Sequence, residues 1–190
     1  MHEDATMEPE VIQRAPGELE LVRAFVNTHN IEAGRDEMGD ADGVRAWLRD
    51  HALLAEDNAV GEDDARRTRA TREALRALLR EHNGVGARCD ALTVINEAIA
   101  RARLTPVLRD NERIRLEPLA GGVDGALGRI LAVVCATTAD GTWARLKACR
   151  NEGCQWAFYD ASKNRSATWC SMAICGSRTK VRAYRQRRRG

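Results

Sequence analysis

No stretch of this sequence comes near eighteen consecutive apolar residues, so no membrane-spanning helix is expected. The opening residues, MHEDATMEPEVIQRAPGE, are polar and acidic and hold no apolar core of the kind a secretion apparatus reads. Neither a P-loop nor a nucleophile elbow occurs. The four histidines, His2, His29, His51 and His82, are dispersed without metal-ligand spacing. The acids at Asp63-Asp64 and at Glu18 and Glu20 read as helix-end or surface groups rather than a paired acid and base. No internal repeat or low-complexity linker separates the parts. A non-enzymatic protein of the reducing cytoplasm, or associated with the nucleoid, is the expectation; there, clustered cysteines are more often metal ligands than disulfides.

What is present is unevenly distributed. The 190 residues are 44% apolar and 31% charged, enough for one or two domains with a real core. The net charge of +2 conceals an acidic body and a basic end. Residues 149–190 hold ten Lys/Arg against two Asp/Glu, a net of +8, while the rest of the chain sums to −6. A field concentrated on one surface attracts a polyanion that the average charge would not.

Apolar spacing predicts a mainly α first domain. After a loose tail over 1–16, Leu19, Val22, Phe25 and Val26 mark a helix running to about His29. Asp42 is placed to cap a second helix with Val44, Trp47 and Leu48 inward. A longer helix opens at Gly61 to Asp63, buries Leu75, Leu78 and Leu79, and stops at Gly84. Its six arginines read as a solvated face balanced by acidic neighbours. Asp90 is expected to cap a further helix whose core side is Leu92, Ile95 and Ile99. A hairpin follows, with Val107 and Leu108 before the Asp110-Asn111 turn and Ile114 and Leu116 after it. The last helix of the domain runs from Val123 through Thr138, and Asp140-Gly141 leads into WARLKAC, read as a short strand. The division is thus 17–142 for a helical domain and 143–190 for a compact second module.

That module carries CRNEGCQWAFYDASKNRSATWCSMAIC, in which Cys149, Cys154, Cys170 and Cys175 form two C-x4-C pairs fifteen residues apart. Four thiolates complete a tetrahedral shell and leave no position for the water that a catalytic zinc requires, so one structural Zn2+ per chain is the reading. Iron–sulfur ligation is the alternative that cysteine spacing leaves open. So small a unit has little core, and metal binding supplies folding energy in its place. Trp156, Phe158 and Trp169 are expected around the ion or against the first domain, with base stacking as a second use for Trp156 and Tyr159. Cys135 and Cys89 lie outside the cluster and read as structural.

From Gly176 the chain reads GSRTKVRAYRQRRRG, with seven Lys/Arg and no acid. Arg178, Lys180, Arg182, Arg185, Arg187, Arg188 and Arg189 are the candidate nucleic-acid contacts. Continued as a helix, Arg178, Arg182, Arg185 and Arg189 fall along one side. Double-stranded DNA is the leading partner; RNA, an acidic protein surface contacted as an adaptor, or a solvated tail are the alternatives. Val181 and Tyr184 offer too little apolar area for a membrane. A homodimer is compatible with all of this.

The stretch WCSMAICGSRTKVRAYRQRRR, preceded by KACRNEGCQWAFYDASKNRSATWC, resembles the C-terminal zinc finger of the CGNR family. RAFVNTHN resembles the first helix of the helical domain usually paired with that finger. The family motif falls on Cys175, Gly176, Ser177 and Arg178, and the chain departs from it at Ser177. The resemblance implies a treble-cleft-like or ribbon-like αβ zinc finger behind the helical domain. It also implies a bacterial, stress-linked transcriptional regulator that binds DNA, with an effector that no residue here identifies. Asn27, in VNT, is the candidate ligand contact of the first domain, or else caps a helix or ties helices together.

Overall fold

The computed structural model describes residues 14–86, 89–108 and 114–178. Apolar residues three and four apart become buried helix faces. Helix α1 (Leu19–Asn27) buries Leu19, Val22, Phe25 and Val26. It stops short of His29, because His29–Asn30 (β1) pairs antiparallel with Arg35–Asp36 (β2). Helix α2 (Ala41–Asp50) buries Val44, Trp47 and Leu48. Its cap is Asp40 rather than Asp42: Asp40 Oδ1 accepts from the Gly43 N–H at 2.8 Å, while Asp42 sits inside the first turn and pairs with Arg45.

Helix α3 (Glu62–Glu81) ends as expected before Gly84, whose φ of +72° suits glycine. Helix α4 (Cys89–Ala102) contains Asp90 in its first turn instead of beginning after it. Its core side is Ala91, Ile95, Ala98 and Ala102, and Leu92 is 57% exposed. One step along a helix turns a side chain by about 100°, and the small alanines, not the larger Leu92, define the seam. The expected hairpin is Leu104–Leu108 (β3) against Ile114–Pro118 (β4), in register Leu108 to Ile114. The Asp110-Asn111 turn lies outside the described residues.

Helix α5 (Gly122–Ala139) is apolar and long enough to cross a bilayer by composition. Here it is the central core helix, packed on α1, α3, α4 and β4. Close approach is built in at Gly128, where a β-carbon would lie 2.7 Å from Ala102 Cβ and 2.8 Å from Pro118 Cβ.

Beyond Gly141, the segment read as one strand divides. Trp143–Arg145 is a single 3-10 turn, and only Leu146–Ala148 (β5) is extended, paired antiparallel with Ala157–Tyr159 (β6). A wide π-type turn, Met172–Gly176, follows. The architecture is mainly α with small hairpins and a treble-cleft-like, cysteine-rich C-terminal unit.

Candidate metal centre and nucleic-acid interface

The loop joining β5 to β6 brings Cys149 and Cys154 together. The Cys149 N–H donates to the Trp156 carbonyl, and the N–H groups of Cys154 and Gln155 both donate to the Asn151 carbonyl, closing a tight knuckle. The second pair flanks the π-type turn. The Cys175 and Gly176 N–H groups share the Ser171 carbonyl, and the Ser171 hydroxyl caps the Ile174 N–H. The wide turn swings Cys175 back toward the knuckle. A β-carbon at Gly176 would collide with Met172 Sδ and crowd Trp169 Cδ1 at 3.3 Å, so glycine fits this position sterically.

All four Sγ atoms lie within 4.8 Å of one another, and three of the four cysteines are buried. The Cys154–Cys170 and Cys170–Cys175 separations are 3.6 and 3.8 Å, far beyond a disulfide. A tetrahedron with metal–sulfur bonds of ~2.3 Å has edges of about 3.8 Å, so these sulfurs fit a single ion. The inorganic core of an iron–sulfur cluster would hold its ligands further apart. Protonation chemistry agrees. Hydrogen bonds from Cys154 and then Cys170 pull the Cys149 thiol down to about 2, and the same pairing pushes Cys154 up to about 12 and Cys170 upward too. Four thiolates packed this closely would repel one another and need a cation among them. Asn151 Nδ2 lies 3.7 Å from Cys175 Sγ and supplies an N–H to the cluster.

A buried ion pair holds the long loop between the cysteine pairs. Lys147 Nζ donates to Asp160 Oδ2 at 2.7 Å and to the Arg165 and Ala167 carbonyls at 2.7 and 3.2 Å. Asp160 also accepts from the N–H groups of Ala167 and Ser162 and from the Ser162 hydroxyl. Burial alone would raise the Asp160 pKa, but the hydrogen bonds from Lys147 and Ser162 outweigh it and hold the carboxyl below its ordinary value. Neither residue figured as a site residue in the sequence; the only signal was a lysine before the first cysteine and an aspartate closing FYD.

The helical domain grips this unit through buried polar side chains. Asn27 forms a two-way pair with Ala157 of β6, donating to its carbonyl at 2.9 Å and accepting from its N–H at 2.7 Å. That use, 130 residues away in sequence, engages both ends of the amide. Asn83 donates to the Ala148 and Thr168 carbonyls, each at 2.9 Å, and the His82 ring meets the Leu146 carbonyl at 2.8 Å while standing edge-on to Trp143. Arg76 reaches furthest, donating to Gln155 O at 2.9 Å, to Val26 O at 2.7 Å and to Glu73 Oε2 at 2.9 Å. The reading of the α3 arginines as a solvated face therefore fails at Arg72 and Arg76, each 2% exposed. They are buried because Asp36, Glu73 and the carbonyls of Val26 and His29 satisfy them.

Of the basic residues assigned to nucleic acid, only Arg178 is among the described residues; Lys180, Arg182, Arg185, Arg187, Arg188 and Arg189 lie outside them. Arg178 leaves the cysteine-bearing turn exposed and pairs with Glu32 of the helical domain. That contact raises its pKa, with smaller contributions from Cys175 and Cys154. Ser177 continues the helical conformation and turns its hydroxyl back to the Met172 carbonyl, so capping falls to Ser171. Trp156 and Trp169 pack on the cysteines, and Tyr159 packs on the main core. Cys135 is half-buried, and burial raises its thiol pKa.

Two family models cover the chain. Residues 19–145 match the one described as "Putative stress-induced transcription regulator". The chain belongs to that family. Residues 145–188 match the CGNR zinc finger, which takes in all four cysteines and begins one residue before β5. No curated protein matches the chain. Family membership implies a regulatory, DNA-binding role, and the cysteine cluster is where this member can hold a metal.

Proposed function

We propose that this protein is a DNA-binding transcriptional regulator of the cytoplasm or nucleoid, whose finger is held together by one structural Zn2+ and whose terminal arginines contact phosphate. The observation that carries it is the four-cysteine cluster. It fills a tetrahedral shell with protein sulfur, leaves no open position for catalysis, and sits directly before a segment with seven Lys/Arg and no acid. Zinc then acts as scaffold, and the basic end, anchored at Cys175, follows the backbone of the nucleic acid. The helical domain grips β5, the knuckle and β6 by hydrogen bonds, an arrangement suited to passing a change in that domain to the finger.

Duplex DNA is favoured over RNA because base stacking needs open aromatic faces, and Trp156 and Tyr159 are only partly exposed, one packed against the cysteines and the other against the main core. The test is metal analysis followed by fluorescence anisotropy of the zinc-loaded protein on duplex DNA, single-stranded DNA and RNA over a salt series. About one zinc per chain is expected, with tightest binding to duplex. Charge reversal at Arg182, Arg185 and Arg189 should flatten the salt dependence by up to roughly three contacts' worth of slope. No affinity for any nucleic acid by zinc-loaded protein would sink the proposal.

A further inference from the structure

The other arginines of α3 each meet a carboxylate or a backbone carbonyl. Arg80 does not. Its Nε is buried without a hydrogen-bond partner, and among the described residues nothing pairs with its guanidinium. Arg80 lines a cavity of about 330 Å³ between α3 and α4, within the size range of small-molecule clefts. Ala74, Ala77, Ala91 and Val94 give the cavity an apolar surface, and Asp90, which nothing among the described residues pairs with, contributes an exposed carboxylate.

We propose that this cavity is an effector site for a small amino-acid-like zwitterion, with the carboxylate on Arg80 and the ammonium group toward Asp90. Unpaired groups of both signs around one cavity match a ligand that carries both signs itself. A guanidinium presents a planar fork suited to the two oxygens of a carboxylate. Phosphate or another multiply charged anion would meet the carboxylates of Glu73 and Asp90, which line the same space. The alanines leave room for an apolar side chain of modest size. Gln155 belongs to this lining too; it follows Cys154 in the metal-binding knuckle, and its carbonyl accepts from Arg76 at 2.9 Å. A ligand here touches the helical domain and the finger together, so its occupancy biases how the finger is held. The effector role rests on the regulator reading given above.

The experiment uses the zinc-loaded full chain. Free L-amino acids, the matching amines that lack the carboxylate, and inorganic phosphate are screened by thermal melting, and hits are titrated calorimetrically. At least one amino acid with a small apolar side chain should raise the melting point by about 5 °C near saturation, and its amine and phosphate should not. Arg80→Gln, with zinc content and helical signal intact, should abolish the shift; Ala77→Leu, which narrows the cavity without touching a charge, should weaken it at least tenfold in Kd. No shift with any amino acid, or a shift that survives both substitutions, overturns the site. DNA anisotropy is run with and without the bound amino acid. Unchanged DNA affinity overturns the effector role, whereas failure to bind DNA under any condition removes the regulator reading and leaves the titration to judge the cavity alone.

Discussion

The helical domain and the cysteine unit solve the same problem in different ways. From α1 to α5 the chain buries long apolar side chains, among them Phe25, Leu75, Ile130 and Leu131, in one continuous core. Around the cysteines the apolar cluster shrinks to the thiols with Trp156, Trp169 and Ile174 packed beside them. What replaces hydrophobic area there is directional: four cysteines able to hold one metal ion, the Lys147–Asp160 pair, and hydrogen bonds lent by Asn27, Arg76 and Asn83. Apolar burial tolerates small displacements, while directional bonds do not. The small unit should therefore fail abruptly when one contact is removed, and the large one should yield gradually.

Metal removal gives the largest separation between the two. Structural zinc contributes on the order of 10 kcal/mol to units of this size, so chelation or Cys175→Ser should unfold residues 146–178 outright. The helices should persist. Far-ultraviolet circular dichroism is expected to keep most of its helical signal while the tryptophan emission of Trp156 and Trp169 moves to the red. A simultaneous loss of both signals would mean that the helical domain has no independent stability and that the comparison is wrong.

Lys147→Met ranks next. It keeps an unbranched apolar stem but strands Asp160, 1% exposed, without its cation, and breaking one side of a buried pair costs about 3–5 kcal/mol. The expected result is a much lower midpoint in chemical denaturation at saturating zinc. Adding Asp160→Asn should return part of the loss, since a neutral amide needs no counter-charge. If the double substitution is as unstable as the sum of the singles, the two residues are not coupled and the loop is held by its backbone contacts alone.

Much of this arrangement was legible in the sequence, and what was not has a common cause. Cys149, Cys154, Cys170 and Cys175 could be assigned because thiol pairs with regular spacing have few other uses, and Leu19, Val22, Phe25 and Val26 because helical period alone decides their face. Arg72 and Arg76 were misread because burial of a guanidinium depends on acceptors brought in from elsewhere. Asp36 comes from β2 and Gln155 from the knuckle, 36 and 79 residues away. Asn27 is the same case over a longer distance. Leu92 was misplaced for another reason: the choice of seam on α4 was made by alanines, which a hydrophobic count underweights. The cavity at Arg80 had no sequence signal, since an arginine without a partner looks like any other arginine until its surroundings are known.

The buried charges of α3 also mark where the helical domain behaves like its neighbour, and pH can isolate them. Asp36 is partly buried, which by itself raises its pKa, but the two hydrogen bonds from Arg72, at 2.6 and 2.7 Å, outweigh this and hold the carboxyl below its ordinary value. An acid whose pKa is depressed in the folded state stabilises that state at pH values above its unfolded pKa, near 3.9, and the contribution is lost as pH falls through the folded value. Asp36→Asn should therefore lower the melting point by a few degrees at neutral pH, an effect of about 1–2 kcal/mol. The gap from the unsubstituted chain should stay constant down to about pH 5 and close only below about pH 4, as Asp36 itself becomes neutral. Because loss of a metal from the cysteine cluster in acid would affect both chains alike, the difference between them, not either curve, carries the measurement. A gap that closes already at pH 6 would mean that a group other than Asp36 carries the effect.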